Sequence, residues 1–570
     1  MDASLQSPVL ILGAGVNGAA LARELLLNDV PVCIVDVNDL AFGASSRSTR
    51  LIHGGLRYLE YGDFRLVKES LRERSRLRKL APQFVEPLRL FIPVRKRFAG
   101  LFRSVFRFLG GSRLLPLYWL SRPFRDATER GLWLVRMGLW LYDRLAGCDE
   151  FPNHSVCKTS AETSPNIDSS RYRWMCAYTD AQMQYPERFI VALLEDARQL
   201  AEDKEIPFRV FTYHRAELQD QNVMIHRCAD DSVVEKFSPL AVINATGAWG
   251  DFTLKELNVS SKRLFGGTKG SHLVTYLPKL REAIGKNGLY AEAADGRLLF
   301  VLPFGEGVLV GTTDERFHQR PEQAIASERE LDYLIEMTNH LFPQVNLTRD
   351  DVEMHYSGVR PLPYVSGGKT ASVSRGHWIK RHNEFSMPVY TLVGGKLTTA
   401  RAFAEDVADL LFERLGITRR ADTKDRPIPG GADYPSSKES LHAEWRRLAD
   451  VFSLRIEQIR VLWSLCGNRV EGILREIGSV GSENLEETQI PLDFVRWVIQ
   501  HEWVTRLEDL VERRLLLVYR PGLSEKCLRQ LAQCLVEAGC FASSEIETAI
   551  ETTIGRLKDY YGKQTKPSHA

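Results

Sequence analysis

The stretch "PVLILGAGVNGAALARELLLNDVPVCIVD", from Pro8 to Asp36, decides the fold. "VLIL" and "PVCIVD" are short apolar runs typical of buried parallel strands, and "AALARELLL" between them has the composition of a helix. Gly13, Gly15 and Gly18 follow the first strand in the pattern G-x-G-x-x-G. Such glycines allow a tight turn, the close approach of a pyrophosphate, and close packing of the helix on the strand.

An acidic residue extends this pattern. Asp36 ends the second strand, 18 residues after Gly18, where a carboxylate can bind ribose hydroxyls. The N-terminus of the helix offers free N–H groups and the positive end of a dipole to phosphates. We therefore predict that Gly13, Gly15, Gly18 and Asp36 bind a dinucleotide, but the motif does not choose between NAD and FAD.

Two later stretches favour FAD. "LAVINATGAWGD" is an apolar strand followed by Thr-Gly, and "VYTLVGGKLTTARAFAEDVADLL" is a strand, a Gly-Gly pair and a helix. A helix entered in this way presents further backbone N–H groups. A cofactor fold assembled from three distant segments suits a flavin enzyme with an inserted substrate domain. The cofactor contacts predicted here are Thr246, Gly247, Gly394, Gly395, Lys396, Leu397 and Thr398.

Length and composition exclude several classes of protein. A chain of 570 residues is too long for one ordinary core, so two or three domains are expected. The nine cysteines form no C-x-x-C pair, so we expect reduced thiols and neither disulfides nor a metal site. The start "MDASLQSPVL" lacks the marks of a targeting segment, and no long apolar window predicts a spanning helix. These features predict a cytoplasmic protein.

Several motifs occur in an order that resembles one enzyme family. They are "GAGVNGAALARELL", "STRLIHGGLRYLE", "INATGAWGD", "TKGSHLV", "VGTTDE", "YSGVRPL" and "VGGKLTTAR". Together they resemble the FAD-dependent, quinone-linked glycerol-3-phosphate dehydrogenases of the D-amino-acid-oxidase-like flavoprotein group. The resemblance implies oxidation of sn-glycerol 3-phosphate to dihydroxyacetone phosphate, with electrons passed through FAD to a membrane quinone. "IQHEWVTRLEDLVERRLLL" also resembles the helical C-terminal domain of that family.

The resemblance also implies a fold. We expect an α/β chain with a glutathione-reductase-type, Rossmann-like FAD domain, an α+β substrate domain and an all-α C-terminal domain. The FAD domain is predicted to be discontinuous, over residues 1–95, 150–260 and 355–415, with the substrate domain over 261–354. A polar linker rich in proline and glycine, residues 422–440, leads to helices over 441–562.

In this family interpretation, "SSRSTRLIHGGLRYLE" carries contacts to the flavin. Ser45, Ser46 and Ser48 are predicted to hydrogen-bond the pyrophosphate or the edge of the ring. Gly54 and Gly55 are predicted to let the backbone pass close beneath the ring. The segment therefore links the nucleotide site to the reacting part of the cofactor.

The substrate phosphate predicts cationic ligands. It carries about −1.5 to −2 charges near neutral pH, and guanidinium groups bind such an anion in a bidentate manner. Arg57 is the first candidate, and Arg360, held in extended geometry before a proline, is expected to clamp the substrate and to take part in catalysis. Arg375 and Lys396 are further candidates, and Tyr58 is expected to touch the phosphate.

The reaction also needs a general base, because the C2 hydroxyl loses a proton while hydride leaves toward the flavin. In the family, the histidine that matches His272 lies by the substrate hydroxyl. We therefore favour His272 as the base or as a partner of the base, and His53 is the alternative. Asp314 is expected to support the site.

A basic aromatic segment favours contact with a membrane. Residues 95–125 carry eight basic side chains and no acid, and Trp133, Trp140 and Tyr142 follow. We predict that residues 96–149 form an amphipathic segment on the inner leaflet, which gives access to a quinone in the bilayer. The segment is longer than the family pattern, so a deeper anchor, a lid or an oligomer contact, such as a homodimer, stays open. No nucleic-acid partner is expected.

Two other functions stay open. The same fold suits an oxidase that passes electrons to O₂, although an oxidase does not need the bilayer. A flavoprotein scaffold without catalysis would not require Arg57, Arg360 and Lys396 to converge.

Overall fold

The computed structural model describes residues 7–97, 131–147, 150–219, 221–292, 297–366, 375–383, 385 and 387–567. Strands and helices are numbered along the chain. Three β-sheets and a C-terminal group of helices organise these residues. The predicted mixture of α/β, α+β and all-α parts is therefore present.

The first sheet has six strands in the order β18-β19-β11-β1-β2-β7. Neighbouring strands are parallel except β18 and β19, which are antiparallel. β1 and β11 are buried along their whole length, as expected for parallel strands covered on both faces. The strands are β1 (Val9–Leu12), β2 (Val32–Asp36), β7 (Phe208–Thr212), β11 (Val242–Asn244), β18 (Trp378–His382) and β19 (Val389–Val393).

Two glycines bring helix α1 (Val16–Leu27) close to β1. Gly13 has a left-handed backbone with φ of 106°, and a Cβ atom there would lie 2.8 Å from the carbonyl oxygen of Ala245. A Cβ atom on Gly18 would lie 2.0 Å from the carbonyl oxygen of Gly13. Because neither position has room for a side chain, β1, α1 and the end of β11 approach each other as the glycine motif predicts.

The second sheet has ten strands. Its main path is β16-β12-β15-β14-β13-β4-β6-β3, with β17 paired to β12 and β5 paired to β6. The strands are β3 (Leu51–Ile52), β4 (Val85–Val94), β5 (Ser155–Lys158), β6 (Trp174–Met183), β12 (Thr268–Thr275), β13 (Gly288–Glu292), β14 (Leu298–Phe304), β15 (Gly307–Gly311), β16 (Glu315–Arg316) and β17 (Val352–Arg360).

This sheet does not follow the predicted domain boundaries. β3 to β6 lie within ranges predicted for the FAD domain, yet they pair in the second sheet. The reason is the long antiparallel pairing of β4 with β6, which places both strands in the second sheet. The second sheet therefore draws strands from before and after residue 261, and the domain boundaries stay a prediction.

A third, antiparallel sheet has the order β10-β9-β8 and contains β8 (His214–Gln219), β9 (Asn222–Arg227) and β10 (Val233–Phe237). The helices that surround the three sheets are α2 (Phe64–Leu80), α3 (Leu132–Ala146), α4 (Pro186–Asp203), α5 (Gly250–Glu256), α6 (Pro278–Ile284), α7 (Glu328–Leu341) and α8 (Ala400–Leu415). α1 packs between α4 and α8 on the first sheet. This packing buries one large apolar core around β1 and β2.

The C-terminal part is helical. It contains α9 (Lys438–Phe452), α10 (Ile456–Cys466), α11 (Val470–Ile477), α12 (Leu492–His501), α13 (Leu507–Asp509), which continues into a π-turn at Leu510–Arg514, α14 (Glu525–Glu537) and α15 (Ile546–Tyr561). These helices share an apolar core with strands of the second sheet. In the described parts of the chain, no helix combines the length and the apolarity needed to cross a bilayer.

The glycine packing leads to the first prediction. Gly18→Ala places a methyl group against the backbone of Gly13, so helix α1 must shift away from β1. We expect the free energy of unfolding to fall by about 1–3 kcal/mol, measured by chemical denaturation.

Gly555→Ala is the matched control. Gly555 lies in helix α15 and a Cβ atom there meets nothing within 4 Å. That substitution should stabilise the protein by up to about 1 kcal/mol through helix propensity. Equal effects of the two alanines would contradict the packing argument.

Candidate active site

A cavity of about 600 Å³ opens at the carboxyl ends of β1, β2, β11 and β19, the edge at which parallel sheets bind ligands. Its other walls are β12, β17 and the loop of residues 37–50 between β2 and β3, which we call the 37–50 loop. The predicted site residues that line the cavity are Gly13, Gly15, Asp36, Ser45, Ser48, His53, Tyr58, Thr246, Gly247, His272, Arg360, Arg375, Gly394, Gly395, Lys396, Leu397 and Thr398.

One end of the cavity is built by the β1–α1 turn. The amides of Ala14 and Asn38 donate to the Asp36 carboxylate at 2.8 and 2.9 Å. Burial raises the pKa of Asp36 to about 6, although both amides oppose the shift. At the start of α1, the amide of Val16 donates to Ser45 Oγ at 3.1 Å. A glycine wall, a carboxylate and a helix N-terminus form the set that binds the ribose and pyrophosphate of a dinucleotide.

The Gly-Gly turn after β19 forms a second wall of this cradle. Gly394 and Gly395 both have left-handed backbones, with φ of 82° and 94°. A Cβ atom on Gly395 would lie 2.9 Å from the side-chain nitrogen of Asn17. Asn17 also lines the cavity, and its Oδ1 is buried without a hydrogen-bond partner in the described chain. A bare backbone beside an unpaired acceptor fits a flat ligand with polar edges, such as FAD.

Cationic side chains gather in another part of the cavity. Arg360 Nη1 lies 3.1 Å from Asp314 Oδ1, and Arg375 Nη2 lies 4.0 Å from Asp314 Oδ2. Lys396 Nζ lies 4.0 Å from the centroid of the Tyr58 ring. Asp314 faces two of these cations and Glu69 acts on Lys396, so positive charge is still in excess in this group, which suits an anionic ligand.

The pKa shifts show that these groups share one electrostatic environment. Burial lowers the pKa of Arg360 to about 10, although Asp314 opposes the shift, and burial also lowers the pKa of Lys396. Burial alone would raise the pKa of Tyr58, but Lys396, Arg375 and Arg360 lower it. Arg360 is still protonated at neutral pH, so the positive charge persists.

His272 lies in β12 beside these cations and is 1% exposed. Burial, with the charges of Arg360 and Arg50, holds its pKa well below the usual value. Its Nε2 lies 3.0 Å from Thr49 Oγ1, and its ring stacks on Tyr356 with centroids 4.9 Å apart. Nδ1 is buried and has no hydrogen-bond partner within the residues described. A neutral imidazole on the cavity wall can accept a proton.

His53 is also at the wall and also neutral. Burial lowers its pKa to about 3, and the charges of Lys396 and Arg74 add to the shift. Its backbone amide donates to Thr398 Oγ1 at 3.2 Å, which joins the His53 segment to the turn after β19. Both candidate bases therefore reach the cavity, and their positions do not choose between them.

Arg57 does not line the cavity, contrary to the expectation that it meets Arg360 and Lys396 there. It belongs to a 3-10 turn, Leu56–Tyr61, in which successive side chains point in different directions. Tyr58 takes the place at the wall, and Arg57 Nε is buried without a partner among the described residues. The cations that converge are Arg360, Arg375 and Lys396.

Four further predicted contacts are also away from the wall. Gly18 packs α1 on β1, and Ser46 Oγ bonds within its own loop to the carbonyl of Gly43 at 3.3 Å. The amide of Gly54 donates to the hydroxyl of Tyr142 at 2.9 Å. A Cβ atom on Gly55 would lie 2.0 Å from the ring of Tyr58. These two glycines make room for aromatic side chains, and their contact with a cofactor stays a prediction.

The cavity also contains residues that the sequence reasoning missed. Thr49 contacts His272, and Phe42 lies on the 37–50 loop. Trp249 donates from Nε1 to Glu322 Oε2 at 2.6 Å and closes one side. Trp249 lies in the motif "INATGAWGD" and could have been included, but no local pattern marks Thr49 or Phe42.

A dinucleotide cradle that shares one cavity with a cationic pocket on a second sheet defines a nucleotide-dependent α/β enzyme of the oxidoreductase class. The family of FAD dependent oxidoreductases matches residues 8–410. This match covers most of the chain, so the protein belongs to that family. The predicted family, fold class and cofactor are confirmed.

Individual relatives agree with this assignment. A glycerol-3-phosphate dehydrogenase of Synechocystis sp. is 32% identical over 89% of this chain and 88% of its own length. A D-erythritol 1-phosphate dehydrogenase of Brucella abortus is 30% identical over 89% of this chain and 93% of its own. The structure of the glycerol-3-phosphate dehydrogenase from Bacillus halodurans with FAD matches with a TM-score of 0.72 at 20% identity, covering 97% and 95% of the two chains.

The buried histidines lead to the second prediction. The pKa values of His53 and His272 are lower in the folded protein than in the unfolded chain, which therefore binds more protons below about pH 6.5. Stability should fall as the pH falls from 6.5, by up to about 1.4 kcal/mol per pH unit for each histidine. His53→Gln and His272→Gln should each lose less stability than the wild type between pH 7 and pH 5, measured as Tm at saturating FAD.

Buried carboxylates contribute equally to the pH dependence of stability in the wild type and in the histidine variants. Burial raises the pKa values of Asp36 and Asp509 to about 6, so these groups favour the folded state as the pH falls, in wild type and variants alike. The difference between proteins isolates the histidine. An unchanged slope in both variants would show that the histidines are protonated in the folded state.

Proposed function

We propose that this enzyme oxidises sn-glycerol 3-phosphate to dihydroxyacetone phosphate. The observation that supports the proposal is the surplus of positive charge where Arg360, Arg375 and Lys396 gather around Tyr58, with Arg360 and Arg375 paired to Asp314. A phosphate monoester carries about −1.5 to −2 charges near neutral pH and balances this surplus. The names of the relatives from Synechocystis and Brucella point to a small polyol phosphate as well.

FAD would be held by residues of both glycine turns. Gly13, Gly15, Asp36 and Ser45 would hold the nucleotide end, and residues 246–247 and 394–398 would hold the rest. Bound FAD supplies an acceptor for the hydride that leaves C2 of the substrate. The close approach of the backbone at both turns would shield the phosphates and the ring of bound FAD from water.

The chain itself would supply binding and proton transfer. Arg360 and Arg375 would bind the phosphate, and Asp314 orients both guanidinium groups. The neutral His272 would accept the proton of the C2 hydroxyl, with Thr49 fixing the orientation of its ring. Once His272 carries a proton, the desolvation that lowers its pKa favours release of that proton.

The third prediction concerns this anion site. Anaerobic glycerol 3-phosphate should bleach the flavin absorbance, whereas glycerol should not, because it lacks the charge that the arginines bind. Arg375→Gln should raise KM by about tenfold to a hundredfold, since it removes a charge-assisted hydrogen bond. His272→Gln should instead lower the rate of flavin reduction by about 100-fold or more with little change in KM.

The same experiment separates the rival functions. D-erythritol 1-phosphate added in place of glycerol 3-phosphate tests the longer polyol phosphate, and the higher kcat/KM identifies the substrate. If neither phosphate bleaches the flavin, the remaining hypothesis is a flavoprotein scaffold without catalysis. Peroxide formed in air at the rate of turnover would indicate an oxidase. If no peroxide forms, the electrons pass to a separate acceptor.

For the acceptor, we propose a membrane quinone reached from the cytoplasmic face. Of the predicted membrane segment, residues 98–130 and 148–149 lie outside the described residues. Helix α3 is described and turns one aromatic face outward, with Trp133 48%, Met137 47% and Trp140 56% exposed. Arg136 and Arg144 stack on the two tryptophan rings at 5.1 and 5.8 Å. Aromatic rings flanked by arginines suit the interface of an anionic bilayer.

The fourth prediction tests this surface. Replacing Trp133, Met137 and Trp140 together by serine should weaken binding to phosphatidylglycerol vesicles by about tenfold or more, because the apolar contact area is lost. Co-sedimentation measures the bound fraction. Turnover with a water-soluble electron acceptor should not change, since these side chains face away from the core.

Trp378→Ser is the control. Trp378 is 41% exposed but lies in β18, outside the proposed surface. Its loss should leave vesicle binding intact. Equal binding of the triple variant and the wild type would reject helix α3 as the contact.

A further inference from the structure

We propose that the C-terminal helical region is part of the FAD site, because its buried arginines hold the 37–50 loop in the conformation that lines the cavity. The family match stops at residue 410, before the helices that carry these arginines. The loop supplies residues such as Phe42, Ser45 and Thr49 to the cavity wall. Its conformation therefore sets the shape of the site.

The first contact lies at the start of the loop. Asp39, three residues after Asp36, has a fully buried carboxylate. Arg514 donates to its two oxygens from Nη1 and Nη2 at 2.8 and 2.7 Å, and Arg513 Nε donates to the same carboxylate. A buried bidentate pair of this kind fixes both the position and the orientation of the carboxylate.

The second contact lies in the middle of the loop. The guanidinium groups of Arg513 and Arg556 lie 5.9 and 5.1 Å from the centre of the Phe42 ring. Arg47, from the loop itself, lies 5.1 Å from the same ring. Phe42 is thus held by two cations of the C-terminal region while it lines the cavity.

The third contact lies at the end of the loop. Arg50 is fully buried and donates to the carboxylate of Glu187 at 2.7 Å and to the carbonyl of Ser46 at 2.9 Å. The hydroxyl of Tyr519, from the C-terminal region, accepts a further hydrogen bond from Arg50. The Arg50 guanidinium also stacks on the Tyr519 ring at 4.7 Å. The loop is therefore anchored at its start, middle and end.

The C-terminal region could pack against the rest of the chain without contacting the 37–50 loop. The region also pairs with helix α4, where Arg188 donates to Glu502 at 2.5 and 2.7 Å, and both side chains are buried. That pair joins the C-terminal region to the body of the protein and touches the backbone carbonyl of Arg514 through Arg188, but within the described residues the Glu502 carboxylate forms no hydrogen bond or ion pair with the 37–50 loop. It provides a matched control, with a carboxylate as buried as that of Asp39.

The test compares the release of FAD from two holoenzyme variants. Asp39→Asn and Glu502→Gln each replace a buried carboxylate by an amide of the same shape. We expect Asp39→Asn to release FAD at least about tenfold faster than the wild type, followed by flavin fluorescence. Glu502→Gln should lower Tm by a similar amount but leave FAD release within about twofold of the wild type.

Tyr519→Phe provides a second variant in case Asp39→Asn does not fold. It removes one hydroxyl from the Arg50 contact and should also speed FAD release, by a smaller factor. Unchanged FAD release in Tyr519→Phe and in a folded Asp39→Asn would overturn the inference. Equal acceleration in Glu502→Gln would also overturn it, because that result reports general destabilisation.

The readout needs no substrate. The inference rests on FAD binding and not on the oxidation of glycerol 3-phosphate, so the failure of one leaves the other intact. A protein that releases FAD slowly but ignores polyol phosphates would reject only the proposed substrate.

Discussion

The pairing of β1 with β2 on one side and with β11 on the other determines where the nucleotide cradle of this protein lies. Because these strands are parallel, their carboxyl ends meet at one edge, and β19 joins them there through β11. Segments that are more than 200 residues apart in sequence thus form one cradle. Gly13 makes this geometry accessible, since any side chain there would collide with the carbonyl of Ala245.

In the cationic pocket, a feature that suits ligand binding lowers the stability of the folded protein. Arg360 and Lys396 are held where burial lowers their pKa values, so the folded protein stores unfavourable desolvation there. Asp314 compensates only part of this cost, because it faces two guanidinium groups. A fully paired pocket would be more stable but would have no charge left for a ligand. The excess of charge is therefore the feature that a bound dianion relieves.

Local patterns predicted the nucleotide site well and the catalytic pocket less well. The glycine motif, Asp36 and the turn after β19 could be identified because each depends on a short stretch whose strand and helix are adjacent in sequence. Arg57 was placed at the wall because of the motif around it, but the 3-10 turn directs Tyr58 there. Arg375 was a candidate from the sequence, but its contact with Asp314 joins segments 61 residues apart, and no local pattern encodes it. The assignment of β4 and β6 to the second sheet could not be predicted either, because their pairing joins segments that are distant in sequence.

The same limit applies to the 37–50 loop. Its sequence suggests contacts to a cofactor, but the groups that fix it lie up to 514 residues away, as Arg556 does from Phe42, in a region that local reasoning treated as a separate domain. On the cavity side the loop is tied to α1 through Ser45, and on the far side it is tied through Asp39 and Arg50. A ligand that stabilises the loop conformation must therefore also stabilise the packing of the C-terminal helices, because both depend on one segment. The helical region and the nucleotide-binding sheet are in this sense one thermodynamic unit, even though their folds belong to different classes.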